Sequence, residues 1–148
     1  MPRAAKDPAA IISAECTLVR MRMLNRVVTK IYDDVLRPHG LKASQLNVLV
    51  AVSRMGPTRP KDLAARLLLE RSTVSRNVDR MVEKGWLSIG RGDGDGRSHD
   101  LSLTAKGRNL LKQLLPDWRR AQRATRKLLG AETVASLNSA VDGLRTAS

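Results

Sequence analysis

The stretch Leu67 to Trp86, LLLERSTVSRNVDRMVEKGW, constrains the fold more than any other part of the chain. Val74, Val78, Met81 and Val82 recur at i, i+4, i+7 and i+8, which places four apolar side chains on one stripe of an α-helix and requires a core beneath it. The opposite face carries Arg76 and Arg80, flanked by Ser72, Thr73 and Asn77, groups able to pair with phosphates and base edges. Gly85 supplies the left-handed residue that stops such a helix, and Lys84 in the last turn suits its dipole. Upstream, Pro60 to Leu67 reads as a short helix with the proline in its first turn and Leu63, Ala64 and Leu67 inward. Ala64 is small enough for a second helix to cross closely. Two short helices joined by a few residues, the second polar and basic outside, are the sequence form of a helix-turn-helix. An ordinary helical hairpin with solvated arginines has the same pattern.

The segment after the second helix favours the helix-turn-helix. Trp86-Leu87-Ser88-Ile89 alternates as a strand, Gly90 to Arg97 is a glycine-rich charged tip, and His99 to Leu103 returns as its partner. The result is a β-hairpin with Arg91 and Arg97 at its tip, a wing. The glycines also suit a phosphate-cradling turn, but no Lys-Ser/Thr pair comes after them at P-loop spacing, which argues against a nucleotide site.

Length and charge bound the rest. With 148 residues, 42% of them apolar and no Phe, one compact domain with a core of Leu, Val, Ile and Met is expected. The net charge of +13 favours a polyanionic partner, nucleic acid before anionic membrane. No run approaches the roughly 18 apolar residues that span a bilayer. The N-terminus lacks the apolar core of a signal peptide, so a cytoplasmic protein is expected. A single cysteine allows neither an intrachain disulfide nor a thiolate metal cluster. His39 and His99 read as surface residues without a ligand pattern. No triad, paired-carboxylate or metal motif suggests catalysis, and no cofactor is implied.

The flanks are helical. From about Ala10 to Leu36, Ile12, Cys16, Val19, Met23 and Val27 form one apolar line with Leu24, Val28, Ile31 and Val35 beside it. Some twenty-five residues of helix exceed what so small a monomer can cover, so part of this helix needs a partner. Pro38-His39-Gly40 breaks it, and Ser44 is placed to cap a buried helix running toward Gly56-Pro57. Thr104 is the expected N-cap of a second long helix, bent at Pro116 and ended by Gly130. Beyond it, Ala131 to Arg145 sets Val134, Leu137, Val141 and Leu144 as a seam for another helix. From Leu101 to Gly130 eight Lys and Arg face one acidic residue, Asp117. Such a run is either a solvated face or a cationic wall.

In order and spacing, Gly40-Leu41 with Gln45, Asp62-Leu63-Ala64 with Leu67, Arg71-Ser72-Thr73-Val74-Ser75-Arg76, Glu83-Lys84-Gly85, Asp95-x-Arg97 and Leu103-Thr104-x-x-Gly107 resemble the MarR family of winged helix-turn-helix transcriptional regulators. The resemblance covers roughly Gly40 to Gly107. It implies a mainly α fold: a three-helix core with a β-hairpin wing over residues 37–104, and long helices over 1–36 and 105–148 that interleave between two subunits. It also implies a homodimer that binds double-stranded DNA at a pseudo-palindromic operator, as a repressor. Arg71, Ser72, Thr73, Ser75, Arg76 and Arg80 would then lie in the major groove, and Arg97 in the flanking minor groove with Asp95 bracing the wing. A small anionic or phenolic effector is implied near the junction of the two regions, where Arg22, Met23 and Arg119 are the candidates. Cys16 sits where the family's hydroperoxide-sensing branch carries its reactive cysteine. That branch surrounds its thiolate with tyrosines, and this chain has Arg20 and Lys30 instead. A packed apolar cysteine fits the same position. A helical module that grips an acidic protein is the alternative of a different class.

Overall fold

The computed structural model describes residues 7–91 and 99–146. In order, the elements are α1 (Pro8–Glu15), α2 (Thr17–Leu36), a 3-10 turn (Arg37–His39), α3 (Ala43–Met55), α4 (Pro60–Leu67), α5 (Arg71–Glu83), β1 (Leu87–Arg91), β2 (His99–Leu103), α6 (Ala105–Leu129) and α7 (Ala131–Thr146). The apolar stripe of α5 is buried as its period requires, with Val74 and Met81 fully covered and Val78 nearly so. It rests on Val48, Leu49 and Val52 of α3 and on Leu63 and Ala64 of α4, all in one core with Leu36, Trp86, Leu87, Leu101, Leu110 and Leu114. Ala64, 4% exposed, has no side chain beyond Cβ to hold neighbouring helices apart.

Between α4 and α5 the chain reverses through Leu68, at φ 53° and ψ 43°. Its amide donates to the Ala65 carbonyl at 3.2 Å, and the Leu69 amide to the Ala64 carbonyl at 3.0 Å. The left-handed turn thereby closes the end of α4. Gly85, at φ 74°, makes the same reversal after α5 without a Cβ penalty.

The wing pairs antiparallel with Leu87 opposite Leu103 and Arg91 opposite His99. A further rung comes from outside the hairpin. Thr58, buried before α4, exchanges both backbone bonds with Leu101, at 3.0 and 2.8 Å. Trp86, expected as the first strand residue, instead packs in the core, and the strand starts at Leu87. Thr104 caps α6 as expected, its Oγ1 accepting the Gly107 amide at 3.0 Å while its hydroxyl donates to the Gly85 carbonyl at 2.7 Å. A Cβ on Gly107 would fall inside van der Waals contact with the Trp86 carbonyl oxygen and 2.7 Å from Leu103 Cδ1. That close approach of α6 to the base of the wing accounts for the glycine.

Two sequence expectations change. The first long helix is not continuous, because Cys16 is extended (φ −68°, ψ 106°) between α1 and α2. The Arg20 guanidinium reaches back to the carbonyls of Ala14 and Cys16, supplying donors that the end of α1 lacks. The cap of α3 is at Lys42, not Ser44. Gln45 Oε1 accepts the Lys42 amide at 3.0 Å, and Asp33 Oδ1 accepts the Ala43 amide at 2.7 Å. Pro116 sits on an exposed side of α6, which runs through it without a break. Gly130 ends α6 at φ 82°.

The helix α2 packs along α6, with Leu24, Val28, Ile31 and Val35 partly buried. Its other apolar line is left largely exposed among the described residues: Val19, Met23 and Val27 are 44–59% exposed.

Candidate nucleic-acid interface

With Val74, Val78 and Met81 turned inward, the 3.6-residue period leaves Arg71, Ser72, Ser75, Arg76 and Arg80 exposed, with Thr73 and Asn77 half-buried at the margins. Among the described residues none of the three arginines forms an ion pair. The outer face of α5 therefore presents guanidinium and hydroxyl donors to solvent. Rigidity comes from behind it, through α3, α4 and the base of the wing.

Ser75 and Asp79 turn toward the wing. With Val78, Pro60, Ile89, His99 and Leu101 they line a shallow groove of about 290 Å³ between α5 and the hairpin. Asp79 is a member that periodicity did not single out, because on a helical wheel it reads only as another solvated residue. Arg80 lies at the other edge of α5, in a cleft shared with the α2–α3 junction. The six α5 candidates thus share one helix but not one direction. Arg91 closes the first strand opposite His99, and Asp95 and Arg97 lie outside the described residues.

The other candidates are dispersed. Arg22, Met23 and Arg119 are exposed, and none lines the clefts formed by α5. Cys16 is half-buried at the α1–α2 break. Among the described residues no three His, Cys, Asp or Glu side chains come together as metal ligands, and no helix is long and apolar enough to cross a membrane.

His39 is not the free surface residue that its isolation suggested. Its Nε2 lies 2.8 Å from Asp117 Oδ2, and Asp117 also meets Arg120 at 3.1 Å. The hydrogen bond from His39, aided by Arg120, holds the Asp117 carboxyl below the usual carboxylate range. Together with the hydrogen bond from the Tyr32 hydroxyl to Gln122 Oε1, this contact ties the region around α2 and the 3-10 turn to α6.

A helix with a buried stripe and a cationic outer face, a short helix crossing behind it and a two-stranded hairpin after it define a winged helix-turn-helix. The family model described as MarR family matches residues 39–98, which span the three core helices and most of the wing. The HTH-type transcriptional regulator YwoH of Bacillus subtilis is 30% identical over 89 residues, 60% of this chain and 64% of its own length. The transcriptional repressor MprA of Escherichia coli is 33% identical over 86 residues, 57% of this chain and 49% of its own. Among solved structures, the M. tuberculosis transcriptional regulator MosR in complex with DNA is similar with a TM-score of 0.72 at 32% identity. That likeness covers 88% of this chain and 99% of MosR. This chain belongs to the MarR family, whose members are transcriptional regulators and not enzymes. It spans from about half to just under two thirds of the two sequence relatives named here.

Proposed function

We propose that the chain is a sequence-specific DNA-binding regulator that acts as a homodimer on a pseudo-palindromic operator and represses. The observation that carries this reading is the exposed face of α5, three arginines and two serines free of ion pairs among the described residues and backed by a stripe in which Val74, Val78 and Met81 are buried. In a major groove those arginines are suited to bidentate contact with guanine, and the hydroxyls to phosphates or base edges. MosR, the similar protein solved with DNA, and MprA, a repressor, support the class of partner and the direction of control. Dimerisation is supported by the apolar sides of α2 and α7 that this chain leaves exposed, among them Val19, Met23, Val27, Leu137 and Val141. Regulation by a small anionic effector at the α2–α6 junction, with Arg22, Met23 and Arg119 as contacts, completes the reading. It is supported by the cationic excess along α6.

Selection of bound duplexes from a random library, followed by anisotropy titration of the winning sequence at two salt concentrations, tests the core of this proposal. A two-fold-symmetric consensus and an affinity falling with salt at a slope of about −0.9 per neutralised phosphate are expected. No enrichment, together with binding to acidic proteins instead, would make the chain a protein-interaction module.

A further inference from the structure

The C-terminal end of α5 borders a second cleft, which shares Arg80 with the edge of the DNA-reading face. Arg80, Glu83 and Lys84 meet Asp33 and Arg37 of the α2 end and Lys42 at the head of α3 around a space of about 470 Å³. Gly40 and Leu41 line it as well. This size lies in the range of metabolite pockets. Its charged groups are unevenly committed. Asp33 is occupied by the Ala43 amide at 2.7 Å. Lys84 Nζ donates to the Gly40 carbonyl at 2.5 Å and stands 4.6 Å over the Trp86 ring. Arg37 leans outward to Asp34 at 2.5 Å. Among the described residues the side chains of Arg80 and Lys42 have neither an ion pair nor a hydrogen bond. Gln45, only 5% exposed, also lines the space, and its Oε1 is already taken by the Lys42 amide. What it can offer a ligand is its amide NH2, a donor.

We infer that this cleft binds a small molecule carrying a phosphate monoester, with the phosphate between the uncommitted Arg80 and Lys42 and the organic body along the aliphatic stems of the lining side chains. Four cations against two carboxylates leave an excess of two positive charges among the lining residues. A phosphate monoester carries about −1.5 to −2 at neutral pH and offers three strong acceptors. A carboxylate would leave one cation unbalanced and can accept from fewer of the donors. Guanidinium and ammonium groups on a phosphate form the stronger, charge-assisted class of hydrogen bond. The aliphatic stems of the lining lysines and arginines give the organic body an apolar contact.

Phenyl phosphate combines such a head with a flat apolar body and is the probe. Calorimetry and amide NMR on the full chain, without DNA, compare it with benzoate, phenol and inorganic phosphate. Phenyl phosphate is expected to bind at least about tenfold more tightly than benzoate, and phenol not at all. Its shifts should centre on Gly40, Leu41, Gln45 and Glu83 and on the Trp86 indole. Lys42→Ala, whose fold the same spectra check, is expected to weaken it about tenfold, the loss of one charge-assisted bond. Equal affinity for benzoate, shifts centred elsewhere, or an unchanged affinity in Lys42→Ala would overturn the site. A Lys42→Ala variant that loses duplex affinity while phenyl phosphate never binds assigns the cleft to the DNA backbone, which overturns it too. Since the binding arms contain no DNA, their failure leaves the operator reading standing.

Discussion

Gly107 shows how one missing methyl fixes the angle between the wing and the long helix. In the first turn of α6 an alanine would gain up to about 1 kcal/mol of helix propensity. Its Cβ would meet the Trp86 carbonyl and Leu103 Cδ1, an overpacking that costs about 1–3 kcal/mol because a backbone carbonyl cannot rotate away. The clash should win, so Gly107→Ala is expected to lower stability in urea denaturation; an equal or raised midpoint would show that the approach is not tight. Asp117 gives a second expectation at this scale. Its carboxyl is depressed first by the hydrogen bond from His39. A depressed carboxylate stabilises the fold above its unfolded value and loses that contribution as the pH falls through its folded value. The Tm gap between wild type and Asp117→Asn is therefore expected near neutrality and should close as the pH drops well below about 4. A gap independent of pH would mean that the pair contributes packing and not charge. Neither residue announces its reason in the sequence. Gly107 is visible as part of Leu103-Thr104-x-x-Gly107, but the Trp86 carbonyl it accommodates is twenty-one positions away. His39 looks isolated because its partner is on another helix.

At the scale of elements, the apolar period was enough to find α4, α5 and both wing strands, since a stripe facing a core repeats at every turn. It could not find the rung at Thr58, because one bridging residue has no alternation, nor the break at Cys16. There Arg20 reaches the main-chain carbonyls of Ala14 and Cys16, a contact without a period. The candidates on α5 were legible as an outer face, while their division between the wing side and the α2–α3 side needed the neighbouring elements. Arg76 is exposed near the middle of that face. If it makes a bidentate base contact, Arg76→Ala should lose about 1–3 kcal/mol at the selected operator and relax preference at one position per half-site. Anisotropy against the operator and its single-base variants measures both, and an unaltered profile would move the reading elsewhere on α5. Cys16 supports a different expectation. The guanidinium of Arg20, the cation one turn away, is engaged with carbonyls, and the tyrosines of the hydroperoxide-sensing branch are absent. Hydroperoxide should leave operator binding intact; loss of binding in wild type but not in Cys16→Ser would establish a sensor.

For the whole molecule, the sequence pattern does not distinguish an apolar face covered by its own chain from one that waits for a second copy. The Leu24, Val28, Ile31 and Val35 line packs within this chain, and the Val19, Met23 and Val27 line beside it does not, though both have the same spacing. On α7, Leu137 and Val141 are 39% and 44% exposed and lie outside the core beneath α5. Replacing both by Lys should therefore leave the winged domain folded. In an isologous dimer each substitution occurs twice, so four apolar side chains are lost from the interface. At roughly 1.5–3 kcal/mol each for full burial, of which the dimer can add only the exposed share of about 40%, about 2–5 kcal/mol would be removed, some two to three powers of ten in Kd. Light scattering is expected to give twice the 16.3 kDa chain mass for wild type and the single-chain mass for the double variant, with helical circular dichroism retained. The variant should also lose operator affinity, because a monomer can occupy only one half-site. A folded double variant that keeps the dimer mass would place the contact between subunits away from α7, and one that is monomeric yet binds the full operator as wild type does would remove dimerisation from the proposed mechanism.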